Sequence, residues 1–365
     1  MTTSTEPQGS TSRPRRAPAP VPSEVPDSPG SVAGISAGLS GARMRVPDFF
    51  IVGHPKCGTT ALYEMLRRHP QIYMADAKEL WYLSPELRAP SRPRAPSRRG
   101  SGNGRRVETL EDYLSLFADA TPDQRVGEAT PLYLSSHTAA GNIAALQPAA
   151  RIIAILREPA SFLRSFHLQC VQNYAETETD LRKAIALEQS RRQGKRIPAR
   201  ATRPKELFYS EHVRYVEQLR RYHALFPHEQ VLVLIYDDFR RDNDATVRQV
   251  LRFLEVDDTH ALESTEANPT VRMRSRRLHD LVHAVSVGRS APARAVKESI
   301  KAITPERLRH RALDTVRESV VYGEPRPPDE ALMLELRRRF KGEVVALSEY
   351  LDRDLVSLWG YDRLI

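Results

Sequence analysis

Three stretches of the chain are apolar enough to form strands that are buried on both faces of a sheet. They are residues 49–52, 151–156 and 230–236, and the last two are almost continuously apolar, as is typical of parallel sheets. Shorter stretches at 71–75 and 125–128 also have strand character. Because helical spacing follows most of these strands, the pattern predicts an α/β fold. We expect one three-layer domain with a mostly parallel sheet and helices on both faces.

The apolar positions between and after these strands recur at helical spacing. The predicted helices begin at residues 61 and 158 or cover 110–117, 138–146, 181–193, 206–226, 242–254, 275–285 and 329–351. From about residue 257 the chain becomes polar and helical, which predicts a helical C-terminal cap at 257–365. Its final segment, 350–361, is expected to pack on the core.

Two segments have the composition of solvated chain rather than of a folded core. Residues 1–46 are rich in Pro, Ser, Gly and Ala without apolar periodicity, which predicts a disordered tail. Residues from about 84 to 107 are rich in Arg, Pro and Ser, which predicts an exposed loop. The rest of the chain, 47–365, is long enough to form one large domain.

The net charge of +9 comes from the same two segments. Residues 88–106 carry seven Arg and no acid, and residues 1–46 carry five Arg against three acids. The remainder of the chain is therefore near neutral, which argues against nucleic acid as a partner. Docking of an acidic substrate, a carrier or a membrane surface on the basic segments is the alternative to simple solvation.

The number of cysteines and the hydropathy of the chain indicate the cellular compartment in which the protein is expected. Cys57 and Cys170 are the only cysteines, so the sequence has neither a disulfide framework nor zinc-ligand spacing. The sequence contains no run of 18 apolar residues, so we expect no transmembrane segment. Its N-terminus lacks the pattern of a secretory signal. These features predict a cytoplasmic protein.

The first strand leads into a loop bounded by Gly53 and Gly58, and a helix follows the loop. Such a layout binds anions, because loop amides and the helix N-terminus converge on the ligand. The two glycines have the spacing of the triphosphate-binding pattern G-x-x-x-x-G-K-[ST]. However, position 59 is Thr, and the lysine is Lys56, inside the loop. That position suits the near end of a shorter ligand and argues against a nucleotide triphosphate.

The order Pro-Lys-x-Gly-Thr-Thr at 55–60 resembles the loop of sulfotransferases that use 3′-phosphoadenosine-5′-phosphosulfate. The resemblance extends over about 47–256. It implies a P-loop-like fold, this nucleotide as the donor and a hydroxyl group as the acceptor. It also implies that Lys56 both binds the 5′-phosphosulfate and acts in catalysis. The other loop residues expected to bind the donor are Cys57, through its backbone N–H, Gly58, Thr59 and Thr60.

A second motif of that family, which binds the donor's 3′-phosphate, also has a match. Arg157 stands at the end of the strand 151–156, and Ser165 follows eight residues later. The planar guanidinium of Arg157 is suited to binding a phosphate through two hydrogen bonds. Tyr215 matches a family tyrosine that contacts the nucleotide, although the family's usual Gly two residues earlier is Val213 here.

The resemblance does not decide which residue is the general base. Residues 78–83 are similar to the stretch that carries a glutamate base in heparan-type members, with a Trp in place of the usual His. Glu79 is therefore the first candidate and Glu128 the second, and His137 and His167 are further alternatives. In-line sulfuryl transfer depends mainly on positioning and charge stabilisation and requires no protein nucleophile. No cluster in the sequence has metal-ligand spacing, so no metal is expected.

Two other functional classes stay open. A P-loop NTPase or kinase would hold Mg²⁺ with carboxylates at a strand end, and Asp237 and Asp238 follow the strand 230–236. A non-catalytic nucleotide-binding module would keep Lys56 and Arg157 but would tolerate the loss of every candidate base.

The C-terminal part and the acceptor are less constrained by the sequence. In the family, basic residues near the C-terminus close over the 3′-phosphate, and Arg274 is the first residue to test for this role. The acceptor, whether a small molecule, a lipid or a glycan, is left open. Its pocket is expected to be roofed by the loop at 84–107 and by the region 180–210.

Overall fold

The protein is built around a parallel β-sheet. The computed structural model describes residues 44–88, 107–260, 272–273, 322–323 and 327–364. The strands of the sheet are β1 (Phe49–Gly53), β2 (Ile72–Met74), β3 (Arg125–Ala129), β4 (Arg151–Leu156) and β5 (Val231–Ile235). They lie in the order β2-β3-β1-β4-β5, and all neighbours are parallel. A separate antiparallel pair consists of β6 (Arg272–Met273) and β7 (Tyr322–Gly323).

Helices surround the sheet. Those in the described ranges are α1 (Thr59–Leu66), α2 (Leu110–Ser115), α3 (Ala139–Leu146), α4 (Pro159–Gln172), α5 (Leu181–Ala186), α6 (Glu188–Arg192), α7 (Tyr209–His212), α8 (Tyr215–His223), α9 (Tyr236–Arg241), α10 (Asn243–Leu254), α11 (Glu330–Tyr350) and α12 (Leu355–Leu358). Short 3₁₀ turns occur at Pro85–Leu87, Pro131–Tyr133, Pro204–Leu207 and His228–Gln230. α11 packs against α4 and α8.

The central strands β1 and β4 form the most buried part of the sheet. All residues of β1 and all but the first residue of β4 are buried, as their unbroken apolar runs predict. The predicted α/β class with a parallel sheet is therefore confirmed. Because β1, β4 and β5 are adjacent and parallel, the segments that follow them meet at one edge, where ligands bind in such sheets.

The predicted helix at 206–226 is wrong as a single element. The chain instead forms a 3₁₀ turn, then α7, then α8, and it leaves helical geometry at Val213 and Arg214. Tertiary contacts stabilise this break, since Gln218 Nε2 donates to the backbone oxygens of Glu211 (2.8 Å) and His212 (3.3 Å). The first turn of α8 is capped from α11, because the backbone N–H of Val216 donates to Glu343.

The predicted helix at 181–193 is also interrupted. It forms α5 and α6, with the junction at Leu187. The buried guanidinium of Arg191 donates to the backbone oxygen of Ala184 at 3.3 Å and to Glu176 at 2.8 Å. The arginine thus bonds a carbonyl of the last turn of α5, which accounts for the break there.

The C-terminal prediction can be compared only in part. The predicted helix at 329–351 is confirmed as α11, and the last segment packs on the core as expected, with Trp359 and Tyr361 buried. The predicted helix at 275–285 and Arg274 lie outside the described residues. β5 ends before Tyr236, which instead begins α9.

The described residues also include the ends of the two segments that were predicted to be solvated. The end of the predicted tail is attached to the domain, because Arg45 donates to the backbone oxygens of Thr121 and Gln124, both at 2.8 Å. Ser84 and Val107, which bound the predicted exposed loop, are both buried. Residues 1–43 and 89–106 lie outside the described part, so disorder of the tail and exposure of the loop stay predictions.

Candidate active site

The loop between β1 and α1 is the first part of the site. The backbone N–H of His54 donates to the oxygen of Ile155 at 2.7 Å, which ties the start of the loop to β4. The loop ends at Gly58, whose φ of 84° lies in the left-handed region, and no side chain caps the first turn of α1. That turn also contains no acidic residue. The helix N-terminus is thus left available for an anion.

Gly58 is expected to be essential for the shape of this loop. A Cβ added there would lie 2.8 Å from carbons of the Phe239 ring, and the backbone conformation is strained for other residues. Gly58→Ala should therefore lower the free energy of unfolding by about 1–3 kcal/mol. Urea denaturation measures this change.

The matched control is Gly141→Ala. Gly141 lies inside α3, and a Cβ added there would meet no atom within 4 Å. Alanine should raise the free energy of unfolding by about 0.5–1 kcal/mol at this helical position. Equal effects of the two substitutions would contradict the role given to Gly58.

Lys56 and Arg157 come together at the sheet edge. The Nη1 group of Arg157 donates to the backbone oxygen of Lys56 at 3.0 Å. Lys56 has a φ of 61°, so the loop turns through left-handed geometry at its lysine. Burial, and next the nearby Arg157 charge, lower the pKa of Lys56. The two predicted donor-binding cations therefore form one site.

Cys57 and Thr59 fill the inside of the loop. The Cys57 side chain is buried, and burial raises the pKa of its thiol to about 12. A thiol in that state is a poor nucleophile, which agrees with a role for the backbone alone. Thr59, the first residue of α1, is buried as well.

Lys78 is a cation of the site that the sequence interpretation missed. Its Nζ donates to Thr60 Oγ1 at 2.7 Å, and burial lowers its pKa to about 8. In G-x-x-x-x-G-K-[ST] loops the hydroxyl at the position of Thr60 binds Mg²⁺. Here the same hydroxyl accepts from a lysine ammonium group. The adjacency of Lys78 to Glu79 was the only local signal for this contact.

A pocket of about 130 Å³ lies beside Arg157. The guanidinium of Arg157 stacks on the Tyr236 ring, 4.7 Å from its centroid. The pocket is lined by Arg157, Ser161, Arg164, Pro328, Glu330, Met333 and Arg337. Three arginines against one glutamate favour an anion with several oxygen atoms, such as a phosphate. Arg337 comes from α11, so no motif near Arg157 in sequence could have revealed it.

Ser165 and Tyr215 lie behind this pocket. Ser165 is buried on α4, one turn beyond Ser161, and Ser161 is the serine that lines the pocket. Tyr215 is fully buried, and its hydroxyl donates to the backbone oxygen of Arg157 at 2.9 Å. In this structure Tyr215 therefore positions Arg157, and direct contact of Ser165 and Tyr215 with a nucleotide stays a prediction.

The loop that carries Glu79 is held in an uncommon conformation. Glu79 is exposed, and both Glu79 and Trp81 have positive φ, 62° and 58°. The backbone N–H of Glu79 donates to the oxygen of Ala129 at 2.9 Å. Arg88 donates to the backbone oxygen of Trp81 at 3.0 Å. Non-glycine residues in left-handed geometry cluster at functional sites, because surrounding contacts must maintain them.

Glu128 is placed differently from Glu79. It is buried in β3 and accepts from Tyr113 at 2.5 Å and from Thr130 at 2.7 Å. Burial raises the pKa of its carboxyl, and the bonds from these hydroxyls lower it. A carboxyl enclosed in this way is poorly placed to receive a proton from an incoming molecule.

The two candidate histidines lie in different environments. His167 is buried, and its Nδ1 lies 3.0 Å from the hydroxyl of Tyr209. Burial lowers the pKa of His167. His137 is exposed, and its backbone N–H donates to Glu86 at 3.1 Å. Of the candidate bases, Glu79 and His137 are exposed and Glu128 and His167 are buried, and which of them acts as the base stays a prediction.

A second pocket of about 180 Å³ is lined in part by residues of the two segments predicted to enclose the acceptor. It is lined by Glu86, Leu87, Ser135, His137, Lys205, Phe208, Glu211, His212, Arg214, Glu217, Gln218 and Arg221. Most of its charged groups are already paired, since Glu217 accepts from Arg214 and Arg221, and Glu211 accepts from Arg192. The pocket therefore offers polar groups of both signs rather than one strong charge.

Within the described ranges, the arrangement of His, Cys, Asp and Glu and the apolar character of the helices bear on metals and membranes. No group of three or more His, Cys, Asp or Glu in these ranges is arranged to hold a metal ion. Within the same part of the chain, no helix has the length and apolar character needed to cross a membrane.

Comparison with known proteins identifies the family. The model of the sulfotransferase family matches residues 47–260, more than half of the chain. A membrane-associated sulfotransferase of Dictyostelium discoideum is 30% identical over 121 residues, 33% of this chain and 22% of that protein. Carbohydrate sulfotransferase 15 of Homo sapiens is 30% identical over 164 residues, 34% of this chain and 27% of that protein.

One solved structure is similar to this chain in fold. A sulfotransferase from Alicyclobacillus acidocaldarius superposes with a TM-score of 0.52 at 29% identity, over 73% of this chain and 99% of that chain. The chain spans only about a quarter of the length of the two curated relatives. The resemblance drawn from residues 55–60 is confirmed by the family match over 47–260 and by this fold: the chain belongs to the sulfotransferase family, whose members are enzymes.

Proposed function

We propose that the chain transfers a sulfuryl group from 3′-phosphoadenosine-5′-phosphosulfate to a hydroxyl group by in-line displacement. The observation that carries this proposal is the bond from Arg157 Nη1 to the backbone oxygen of Lys56. It joins an anion-binding loop to a pocket with three arginines. This donor has two anionic ends, a 5′-phosphosulfate and a 3′-phosphate, and the two adjoining cationic sites suit them.

The residues at the 5′ end have separate tasks. The N-terminus of α1 and the hydroxyls of Thr59 and Thr60 would bind the 5′-phosphate. Lys56 would neutralise the negative charge that develops on the leaving phosphate oxygen, which is where a fixed cation accelerates the reaction most. Lys78, bonded to Thr60, adds a second positive charge on the same side. Glu79, exposed at the end of the adjacent loop, would accept the proton of the acceptor hydroxyl.

The residues at the 3′ end bind and orient. Arg157, Arg164 and Arg337 surround the small pocket and would bind the 3′-phosphate. The role expected of Arg274, which lies outside the described residues, stays a prediction. The carboxylate of Glu158, which accepts from the first amides of α4, lies 3.7 Å from Arg337 and offsets part of the positive charge.

The acceptor is proposed to enter the pocket of about 180 Å³. Glu86 and Leu87 from segment 84–107 and Lys205 and Phe208 from segment 180–210 line part of it, and its mixed polar lining suits a molecule with several hydroxyl groups. The name of the human relative, carbohydrate sulfotransferase 15, supports a glycan acceptor. Lipid and small-molecule hydroxyls are the alternatives that an acceptor panel with labelled donor would compare. A cytoplasmic location likewise stays a prediction.

The structure gives less support to a P-loop NTPase. Asp237 accepts from the indole N–H of Trp359 at 2.9 Å, and Asp238 pairs with Arg241 and Arg353. These contacts occupy the carboxylates that would bind Mg²⁺, and Lys78 occupies the hydroxyl of Thr60.

Ligand stabilisation separates these two functions. Adenosine 3′,5′-bisphosphate without metal is expected to raise the Tm by several degrees, because a ligand at a hundred times its Kd adds about 2.7 kcal/mol. ATP with Mg²⁺ should add less. Greater stabilisation by ATP with Mg²⁺ would contradict the proposal. Transfer of labelled sulfate to an acceptor then separates an enzyme from a non-catalytic binding module.

A further inference from the structure

The 3₁₀ turn at Pro204–Leu207 faces the loop of the candidate base. The guanidinium carbon of Arg203 lies 4.3 Å from the centroid of the Trp81 ring. Arg203 Nε also donates to Glu206 Oε1 at 2.5 Å. Trp81 is two residues from Glu79. The pair formed by Arg203 and Glu206 therefore contacts the Glu79 loop through the Trp81 ring.

Glu79 and Trp81 both need support from outside their own loop. Their φ angles of 62° and 58° are uncommon for non-glycine residues and persist only where surrounding contacts maintain them. Backbone bonds to Ala129 and from Arg88 fix one side of the loop. Arg203 is the group that covers the Trp81 ring itself. A planar guanidinium stacks on an aromatic face in a way that a lysine ammonium does not.

A second carboxylate lies near Glu79. Burial raises the pKa of Glu206, the Arg203 guanidinium lowers it, and the nearby Glu79 carboxylate raises it. The other charged or titratable groups that interact with this pair are Lys78, beside Glu79, and the Cys170 thiol, beside Glu206.

We propose that Arg203 and Glu206 are positioning residues for Glu79. Arg203 holds the left-handed backbone at 79–81 through the Trp81 ring, and the Glu206 carboxylate holds Arg203 in that position by accepting the bond from its Nε. This inference rests on the proposed role of Glu79 as the general base.

In the proposed step, every bond change can be assigned. The acceptor oxygen forms a bond to sulfur as its O–H bond breaks, and the proton goes to the Glu79 carboxylate. The bond from sulfur to the leaving phosphate oxygen breaks, and its electron pair stays on that oxygen beside Lys56. Arg203 and Glu206 form no bond to the reacting atoms.

Two substitutions test the two roles separately. Glu206→Gln keeps the size of the side chain and removes the charge that pairs with Arg203, so kcat should fall severalfold while the KM of the donor stays unchanged. Arg203→Lys keeps the charge next to Glu206 but loses the stacking plane. It should lower kcat about tenfold, while the KM of the donor stays unchanged.

Matched controls lie elsewhere on the surface. Arg200 stacks on Tyr174, 4.7 Å from its ring centroid, so Arg200→Lys removes a similar contact away from the loop. Glu335→Gln removes an exposed carboxylate that pairs with Arg182. Both controls should keep the wild-type kcat and the wild-type KM of the donor. If Arg203→Lys fails to fold, Trp81→Leu removes the same stack from the other side and should give the same loss of kcat.

The outcomes are distinguishable. An unchanged kcat for Glu206→Gln, or a kcat within twofold of wild type for Arg203→Lys, would overturn the inference. Glu79→Gln with near wild-type kcat would remove the proposed base, and the inference with it. Neither result would affect the assignment of sulfuryl transfer, which depends on sulfated product from the wild-type chain.

Discussion

Replacing Lys56 by methionine is expected to lower kcat for sulfuryl transfer by about 10²- to 10³-fold while leaving the fold intact. Methionine keeps most of the length of the side chain and removes the positive charge. Removing a fixed group that stabilises developing negative charge typically causes a loss of this size. Steady-state kinetics with labelled donor measures the change.

The same substitution should not destabilise the protein. Burial and the charge of Arg157 lower the pKa of Lys56 in the folded state. A lysine whose folded pKa is below its unfolded pKa binds its proton less tightly after folding, so its charge opposes folding at neutral pH. Lys56→Met should therefore leave the free energy of unfolding unchanged or raise it.

This combination of effects distinguishes a functional lysine from a structural one. Lys195→Met, on an exposed turn, is the control and should keep both the activity and the stability of the wild type. A Lys56→Met variant that keeps its kcat within tenfold would show that the charge of Lys56 does not stabilise the transition state.

The parts of this site that the sequence predicted are the ones encoded by local pattern. The loop at 53–58 follows a short apolar strand and precedes a helix, so its geometry depends on a few adjacent residues. Arg157 was found because it matches the second motif of the family at the end of the apolar run of β4. Parallel strands bring their carboxyl ends to one edge, and the structure accordingly places Arg157 3.0 Å from the backbone oxygen of Lys56.

The parts that the sequence did not predict depend on contacts between distant segments. Lys78 reaches Thr60 across the top of β2 and α1, and Arg337 reaches the Arg157 pocket from α11. Lys78 begins the family-like stretch 78–83, but that stretch indicated a role only for Glu79, and Arg337 belongs to no recognisable motif. Their roles became visible only when the packing of α11 and of the Glu79 loop was known.

The break between α7 and α8 likewise could not be predicted from the sequence, because it depends on contacts and not on the apolar pattern. The apolar spacing at 206–226 continues through the break, so periodicity alone predicts one helix. The observed arrangement is stabilised by Gln218, which bonds the end of α7 and also lies 2.7 Å from Nε2 of His54. The break places Tyr215 at the start of α8, where its hydroxyl supports Arg157. The contact between Gln218 and His54, which lies in the loop between β1 and α1, thus outweighs the helical pattern.

Replacing Arg157 by alanine is expected to remove recognition of the 3′-phosphate. Truncating one member of a buried charge pair costs about 2–5 kcal/mol, so the Kd for adenosine 3′,5′-bisphosphate should rise about 30-fold or more. The Kd for adenosine 5′-monophosphate, which lacks the 3′-phosphate, should change much less. Calorimetry with both nucleotides measures whether the preference for the bisphosphate is lost. Arg157→Lys should restore little of it, because an ammonium group cannot form the paired bonds of a guanidinium.

The matched control for this test lies at the other end of the same strand. Arg151 begins β4, pairs with Glu255 and stacks on Phe253, 5.5 Å from the ring centroid. It thus resembles Arg157 in its strand and in its aromatic contact but lies far from the pocket edge of the sheet. Arg151→Ala should leave both Kd values unchanged. An equal loss of affinity for the two nucleotides in Arg157→Ala would instead mean that Arg157 shapes the loop at Lys56 and does not bind the 3′-phosphate.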